Sequence, residues 1–164
     1  MNLKDVYKKV KELQKELPAF EDGRIDYHNS SVALVVDVFI ISSKGLLLLK
    51  RSGKVHNYPH FWAPITGFID EKKDIKDIIL KEIKEEIGLD EEDIISLKIG
   101  EIYTRDDDLL NKKWIIVPVK VEIQDDLKIT LDWEHDEYKW IDPEDLESYK
   151  IIPGIDDAWQ QANL

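Results

Sequence analysis

The sequence contains no cysteine among its 164 residues. Disulfide bonds, thiolate nucleophiles and Cys-ligated zinc or iron–sulfur sites are therefore excluded. Basic residues are also in deficit, since 23 Lys and Arg accompany 35 Asp and Glu and give a formal net charge of −12. This charge argues against binding a nucleic-acid polymer or an anionic membrane surface, whereas metal ions can bridge it to small phosphorylated ligands.

Long apolar runs are missing as well. The longest, such as residues 38–41 and 46–49, are far too short to span a bilayer. Residues 1–15 are charged and amphipathic, whereas a secretory signal is basic and then apolar. Together with the absence of cysteine, these features predict a cytoplasmic protein with no membrane partner.

The first thirty residues differ in pattern from the rest of the chain. Apolar residues at helical spacing predict an amphipathic helix over 3–17, which Pro18 stops and a turn-rich connection follows. We expect this helix to dock on its own domain, with a homodimer contact as the alternative. The predicted division is a helical extension at 1–30 and a main domain at 31–164.

The main domain alternates strand and helix patterns. Residues 31–41 are rich in β-branched side chains and predict a buried strand, which forms a hairpin with a strand at 46–51. A helix is predicted over 74–87, with Asp74 as its N-cap and Gly88 after its end. Further strands are predicted at 96–104, 114–123 and 137–141, and short helices at 143–148 and 155–162. This order predicts an α/β fold with a mixed sheet and helices on both faces.

The helix over 74–87 has carboxylates where core residues are expected. Isoleucines form an apolar stripe in its first half, and Glu82 and Glu86 continue that stripe with Glu85 beside them. Carboxylates at this spacing repel each other, and a hard divalent cation such as Mg²⁺ or Mn²⁺ would offset the repulsion. The alternative is a solvated acidic face that pairs with Lys81 and Lys84.

The sequence around these glutamates resembles the Nudix box, G-x5-E-x7-R-E-U-x-E-E-x-G-U, where U is a bulky aliphatic residue. Seven of the nine specified positions match. They are Gly67, Glu82, Ile83, Glu85, Glu86, Gly88 and Leu89. Two positions depart from the pattern. Lys73 replaces the first glutamate, which reverses a charge, and Lys81 replaces the arginine, which removes a planar guanidinium.

The resemblance extends over residues 31–162 and implies a fold. It includes LLLLKR at 46–51, the Phe61-Trp62 pair and EHDEYKWIDPEDL at 134–146. The implied fold is a Nudix-type α/β/α sandwich with a mixed β-sheet, to which an N-terminal helix is added.

The resemblance also implies an activity. Nudix enzymes use water to cleave a diphosphate linkage in nucleoside di- and triphosphate derivatives, with Mg²⁺ or Mn²⁺ as cofactor and a small phosphorylated nucleotide as substrate. Segments of the form W-x-x-x-T-G and E-H-x-x-Y-K-W resemble the nucleoside-triphosphate and dihydroneopterin-triphosphate pyrophosphohydrolase branch. Because Lys73 and Lys81 depart from the box, the alternative is a catalytically weak or inactive Nudix-fold nucleotide-binding or regulatory protein.

The resemblance assigns metal binding and catalysis to specific residues. Glu82, Glu85 and Glu86 match the metal-binding and catalytic glutamates of the family, and the main-chain carbonyl of Gly67 matches an additional ligand. Glu82 and Glu86 are the expected direct ligands because they lie one turn apart on the inward stripe. Glu134 is expected to be the general base or an additional ligand, with an ordinary loop glutamate as the alternative.

Cationic residues near the box are candidates for substrate binding. Lys50 and Arg51 end a strand that leads toward the box and are expected to hold a phosphate, although a solvent-directed strand-end pair is the alternative. Arg105 lies in the segment TRDDD and could reach a ligand, but pairing with its neighbouring aspartates is favoured.

Three further residues are candidates for contacting substrate. Phe61 precedes the box and is expected to stack on a base, whereas core packing is favoured for the adjacent Trp62. His135 contacts substrate or is a surface histidine. Gly67 is a candidate because its backbone begins the box.

Overall fold

Eight strands and three α-helices form a layered α/β fold in a computed structural model that describes residues 2–164. The helices are α1 (Leu3–Gln14), α2 (Ile75–Ile87) and α3 (Ile155–Asn163). The strands are β1 (Val32–Ser42), β2 (Gly45–Arg51), β3 (Trp62–Ala63), β4 (Ile65–Phe68), β5 (Ile94–Ile99), β6 (Tyr103–Asp107), β7 (Lys112–Ile123) and β8 (His135–Ile141). Met1, the first residue of the predicted N-terminal extension, lies outside the described residues.

The long strand β1 organises a mixed sheet. It runs parallel to β7 and antiparallel to β4. The predicted hairpin is confirmed only beside its turn, where Ile41 pairs with Leu46 and Ser42 pairs with Gly45. Beyond those pairs β2 leaves β1 and pairs with β8, because β4 occupies the same edge of β1. The strands therefore form two groups, one around β1 and β7 and the other around β2.

Helices cover both faces of the sheet, as the sequence predicts. One core joins α1 and α2 to the even-numbered side chains of β1, such as Leu34 and Val36. A second core on the other side joins α3 to β2 and includes Phe39 and Trp62, so the predicted core role of Trp62 is confirmed. The predicted α/β/α arrangement with an added N-terminal helix is confirmed.

The N-terminal segment packs on the loop that connects β4 to α2. Val6 and Val10 of α1 are buried, which confirms that this helix docks on its own chain. The Nε2 of Gln14 donates to the carbonyl oxygens of Ile69 at 3.3 Å and Glu71 at 3.2 Å. None of the helices within residues 2–164 combines the length and apolar composition that a bilayer crossing needs.

Candidate active site

Helix α2 directs Glu86 into the protein, as the sequence predicts. The helix starts after Asp74, whose side chain accepts a hydrogen bond from the Lys76 amide, and it ends at Gly88, which adopts a left-handed conformation with φ of 76°. Only 2% of Glu86 is exposed, although the flanking Glu85 remains in solvent. The buried stripe of α2 therefore continues with the carboxyl group of Glu86 in place of an apolar side chain.

Gly67 allows a close approach between strand β4 and this helix. A Cβ atom at residue 67 would lie 2.4 Å from Cδ of Glu82 and 2.7 Å from its Oε1. No side chain fits at that distance, so glycine is required for the observed position of the Glu82 carboxyl group. The first residue of the box and one of its glutamates are thus in direct contact.

These residues form part of the wall of a cleft of about 690 Å³. Seven carboxyl groups and three cationic side chains from the described residues line the cleft. They belong to Asp37, Asp70, Glu82, Glu85, Glu86, Asp132 and Glu134, and to Arg51, Lys81 and Arg105. Diphosphates carry negative charge, so this cleft would repel them unless cations were bound in it.

Crowding and burial change the pKa values of the carboxyl groups. Burial raises the pKa of Glu82 to about 7, and the nearby charge of Glu85 adds to the rise. Burial also raises the pKa of Glu86 well above its usual value, with Glu82 as the next cause. The Oε2 of Glu86 has no hydrogen-bond partner within the described chain. Carboxylate oxygens that have no positive charge to compensate them are suitable ligands for a hard divalent cation.

Asp132, in the loop before β8, and His135, the first residue of β8, lie behind Glu86. The Nδ1 of His135 is 3.0 Å from Oδ1 of Asp132, and its Nε2 is 3.8 Å from Oε2 of Glu86. Burial lowers the pKa of His135, which favours its neutral ring, and the hydrogen bond with Asp132 opposes this shift. Donor atoms of Asp132, Glu134 and His135 all lie within 4.8 Å of one another, which makes this group a second set of potential metal ligands.

The structure brings most of the predicted site residues to the cleft. Glu82, Glu85, Glu86, Glu134, Gly67 and Arg51 all line it. The Nε of Arg51 donates to the carbonyl of Asn57 at 3.0 Å, which fixes the guanidinium beside the cleft. Burial raises the pKa of Glu134, and the charge of Asp132 adds to the rise.

Three predicted substrate contacts lie away from the cleft lining. Lys50 pairs with Trp62 across the sheet. Phe61 packs edge-on against Tyr58, with ring centroids 5.2 Å apart, and the Nζ of Lys150 lies 4.4 Å from its ring centroid. His135 is buried behind Glu86. Their roles in substrate binding stay predictions.

Glu71 connects the two lysines that depart from the Nudix box. Its carboxylate is 2.7 Å from the Nζ of Lys73 and 2.7 Å from the Nζ of Lys81. Hydrogen bonds from these two lysines lower the pKa of Glu71 to about 2. Asp74, the other candidate substitute for the missing glutamate, caps α2 instead. Glu71 thus holds Lys81 beside Glu85, whose Oε1 is 4.0 Å from its Nζ.

Replacing Glu71 by Gln is expected to destabilise the fold at neutral pH, by an amount that shrinks in acid, and to reduce turnover modestly. The pKa of Glu71 lies below its usual value, so its ion pairs stabilise the protein above pH 4.5 and lose that effect as the pH falls toward 2. Because both lysines are solvent-exposed, the loss at neutral pH is about 1 kcal/mol. The turnover that the Nudix resemblance implies should fall about tenfold, because Lys81 would lose the partner that holds it beside Glu85.

Urea unfolding at pH 7 and pH 3 measures the stability difference. Glu91 provides a matched control because it also pairs with a lysine of α2, Lys76, but outside the cleft. Glu91→Gln should leave turnover unchanged. Equal turnover in wild type and Glu71→Gln would show that Lys81 needs no anchoring.

Comparison with known proteins identifies the family. The NUDIX domain profile matches residues 32–160, which is most of the chain. The chain belongs to the Nudix family. A sequence search of the curated proteins found no match.

Solved Nudix structures share the fold at low sequence identity. An Ap4A hydrolase of C. elegans aligns with 20% identity and a TM-score of 0.62, over 80% of this chain and 95% of that one. The MutT protein of Methanosarcina mazei Go1 aligns with 22% identity and a TM-score of 0.64, over 82% and 95%. The E. coli dihydroneopterin triphosphate pyrophosphohydrolase aligns with 20% identity and a TM-score of 0.60, over 80% and 94%. At these identities the similarity establishes the fold alone.

Proposed function

We propose that this Nudix protein is a metal-dependent hydrolase that cleaves a diphosphate linkage in a nucleoside di- or triphosphate derivative. The main support is the environment of Glu86, which is 2% exposed and has an unpartnered Oε2 on the wall of a cleft crowded with carboxyl groups. A buried carboxylate without compensation is costly, and such costs are typical of functional sites. A solvated acidic face, the alternative reading of this helix, does not account for its burial.

The chain offers a coherent set of oxygen ligands for the cofactor. Glu82 and Glu86 would hold Mg²⁺ or Mn²⁺ directly, with Glu85 and the carbonyl of Gly67 as further ligands. The bound metal would neutralise the diphosphate and make water more acidic. Glu134 lines the same cleft and is the proposed acceptor of a proton from the attacking water, and its raised pKa makes it a stronger base than an ordinary glutamate.

Arg51 is the group best placed to orient the substrate. Its guanidinium lines the cleft and presents several N–H donors, which suit a phosphate. The charges of Glu134 and Glu86 act on Arg51, so it lies close to the proposed reacting groups. Holding a phosphate here would bring the diphosphate between the α2 carboxyl groups and the proposed base.

A panel of phosphorylated compounds tests the activity. Purified protein is incubated with nucleoside triphosphates, nucleoside diphosphate sugars, dinucleotide polyphosphates and dihydroneopterin triphosphate. The last compound represents the branch that the sequence resembles. We expect a phosphorylated product with Mg²⁺ or Mn²⁺, complete loss of product with EDTA, and recovery when metal is restored. Product formation that is indifferent to EDTA would contradict the proposed chemistry.

A nucleotide-binding or regulatory protein that has lost turnover is the second candidate. The two lysines at Nudix box positions favour it, because Lys73 reverses a charge and Lys81 lacks a planar guanidinium. The pairing of both with Glu71 favours retained activity instead. Saturable nucleotide binding without product from any panel member would support the binding protein.

Two expectations about the protein's setting also stay proposals. The absence of cysteine fits the reducing cytoplasm. Val6, Val10 and Leu13 of α1 pack on their own chain, and a homodimer, if formed, would use another part of the surface. Light scattering distinguishes a monomer from a homodimer.

A further inference from the structure

The floor of the cleft contains a buried carboxyl group that the proposed chemistry does not use. Asp37 is 5% exposed in the middle of β1, where its neighbours from Ala33 to Ile40 are apolar. Its side chain points to the cleft, opposite to the core side chains of Val36 and Val38. Burial raises its pKa to about 7, and the charge of Arg105 opposes this rise. A strand of this composition gains no stability from a central carboxylate.

Arg105 lies at the same end of the cleft, on β6. Its Nη2 is 3.9 Å from Oδ2 of Asp107, too far for a hydrogen bond, and its Nε has no hydrogen-bond partner within residues 2–164. The Oδ2 of Asp107 already accepts from the hydroxyl of Tyr58 at 2.8 Å. A Cβ on Gly154 would lie 2.4 Å from Nε of Arg105, so the backbone of the 152–154 loop packs directly against the guanidinium.

The surface between these two polar groups is apolar and belongs to the sheet. Val35, Trp114 and Ile116 line the cleft there, and Ile152 and Pro153 line it from the loop before α3. No ion pair within 4.0 Å joins Asp37 to Arg105 in the described structure. An apolar floor with an acceptor and a donor along it has the character of a site for a planar heterocycle.

The two polar groups favour one kind of heterocycle. An ionised carboxylate accepts two N–H donors, such as a ring N–H and an adjacent amino group, and a guanidinium donates to a carbonyl oxygen or a ring nitrogen. Guanine presents both patterns through its 2-amino-6-oxo edge. Adenine presents an amino donor where guanine has its carbonyl acceptor, and it lacks the ring N–H.

We propose that Asp37 and Arg105 form the base-recognition end of the cleft and select a heterocycle with an amino-oxo edge, as in guanine, over adenine. The inference rests on the proposed function, because it names the base of the nucleotide that occupies the same cleft. Pterins have the same edge, so guanine and pterin are two sources of one chemistry.

Binding in the presence of Mg²⁺ tests the inference separately from turnover, because neither nucleoside monophosphates nor neopterin contain a diphosphate linkage to cleave. GMP, IMP, AMP and neopterin are titrated by calorimetry at pH 8, above the pKa of Asp37. Wild type should bind GMP about tenfold to a hundredfold more tightly than AMP, the range of a good bidentate contact. IMP lacks only the 2-amino group and should bind about tenfold more weakly than GMP. A neopterin affinity above that of GMP would assign the site to pterins.

Substitutions identify the residues responsible. Asp37→Asn keeps the side-chain shape and should abolish the preference of GMP over IMP and reduce the preference over AMP, to which Arg105 still contributes. Asp106→Asn is the matched control, because this neighbour of Arg105 lies on the exposed side of β6 and should leave all affinities unchanged. Equal affinities for GMP and AMP, an unaltered preference in Asp37→Asn, or no detectable binding of GMP or neopterin would each overturn the inference.

The two proposals fail in different ways. If the panel yields product but wild type binds GMP and AMP equally, only the base-recognition proposal is wrong. If GMP selectivity depends on Asp37 but no compound is cleaved, the hydrolase proposal is wrong and the base site stands. The comparison of IMP with GMP uses wild-type protein, so it remains decisive even if Asp37→Asn fails to fold.

Discussion

Replacing Glu86 by Gln is expected to lower kcat about 1,000-fold on the best substrate of the panel. Gln keeps the shape of the side chain but removes the negative charge that a divalent cation needs. Loss of a direct metal ligand costs several kcal/mol of transition-state stabilisation, and each 1.36 kcal/mol corresponds to about a tenfold change in rate. Steady-state kinetics in saturating Mg²⁺ and Mn²⁺ measure the loss.

The fold should tolerate this substitution. Burial raises the pKa of Glu86, so without metal its ionised form destabilises the protein as the pH rises through that pKa. The neutral amide avoids this cost, and Glu86→Gln should melt at the wild-type temperature or above it at pH 8. Glu147 is exposed on the surface outside the cleft, and Glu147→Gln is the control for loss of one carboxylate. Wild-type kcat in Glu86→Gln would contradict the metal site.

Replacing Gly67 by Ala should lower kcat about 100-fold with little effect on stability. The new Cβ would overlap Cδ of Glu82 at 2.4 Å and displace that carboxyl group. A shift of about 1 Å in a catalytic group is enough for a 100-fold loss. The overlapping atoms lie at the end of a flexible side chain, so the free energy of unfolding should change by less than about 1 kcal/mol.

Kinetics combined with Mn²⁺ titration separate this effect from misfolding. Metal affinity should weaken together with kcat, whereas the melting temperature should stay near that of wild type. Gly53→Ala is the matched control, because a Cβ there would lie 3.1 Å from Cε1 of His60 and Gly53 is outside the cleft lining. Unchanged Mn²⁺ affinity in Gly67→Ala would show that Glu82 does not bind the metal.

Local sequence patterns predicted the α-helices well and the connections between strands less well. Helix α2 begins one residue after the start of the predicted range of 74–87 and ends with it, because Asp74 and Gly88 are local caps. The predicted strand at 96–104 is two strands, β5 and β6. At the break, a Cβ on Gly100 would lie 2.1 Å from the carbonyl oxygen of Gln161. The break depends on packing against α3, which lies far along the chain.

The site shows the same limit. The glutamates of α2 were predicted because their spacing and the Nudix box are local. Asp132 was missed because only folding brings it and its chain neighbour His135 close to Glu86. Asp37 is visible in the sequence as the lone carboxylate of a β-branched run, a signal whose meaning depends on which face of the sheet lines the cleft.

The ion pairs of Glu71 show that a charge required near the Nudix box can come from a residue outside the box positions. In this chain the acidic partner of Lys81 is Glu71, which lies two positions before the glutamate position of the Nudix box, and Lys73 occupies that box position. Motif searches that require an acid at residue 73 would reject such chains. In relatives that have lysine at the positions of residues 73 and 81, we therefore expect an acidic residue at the position of residue 71.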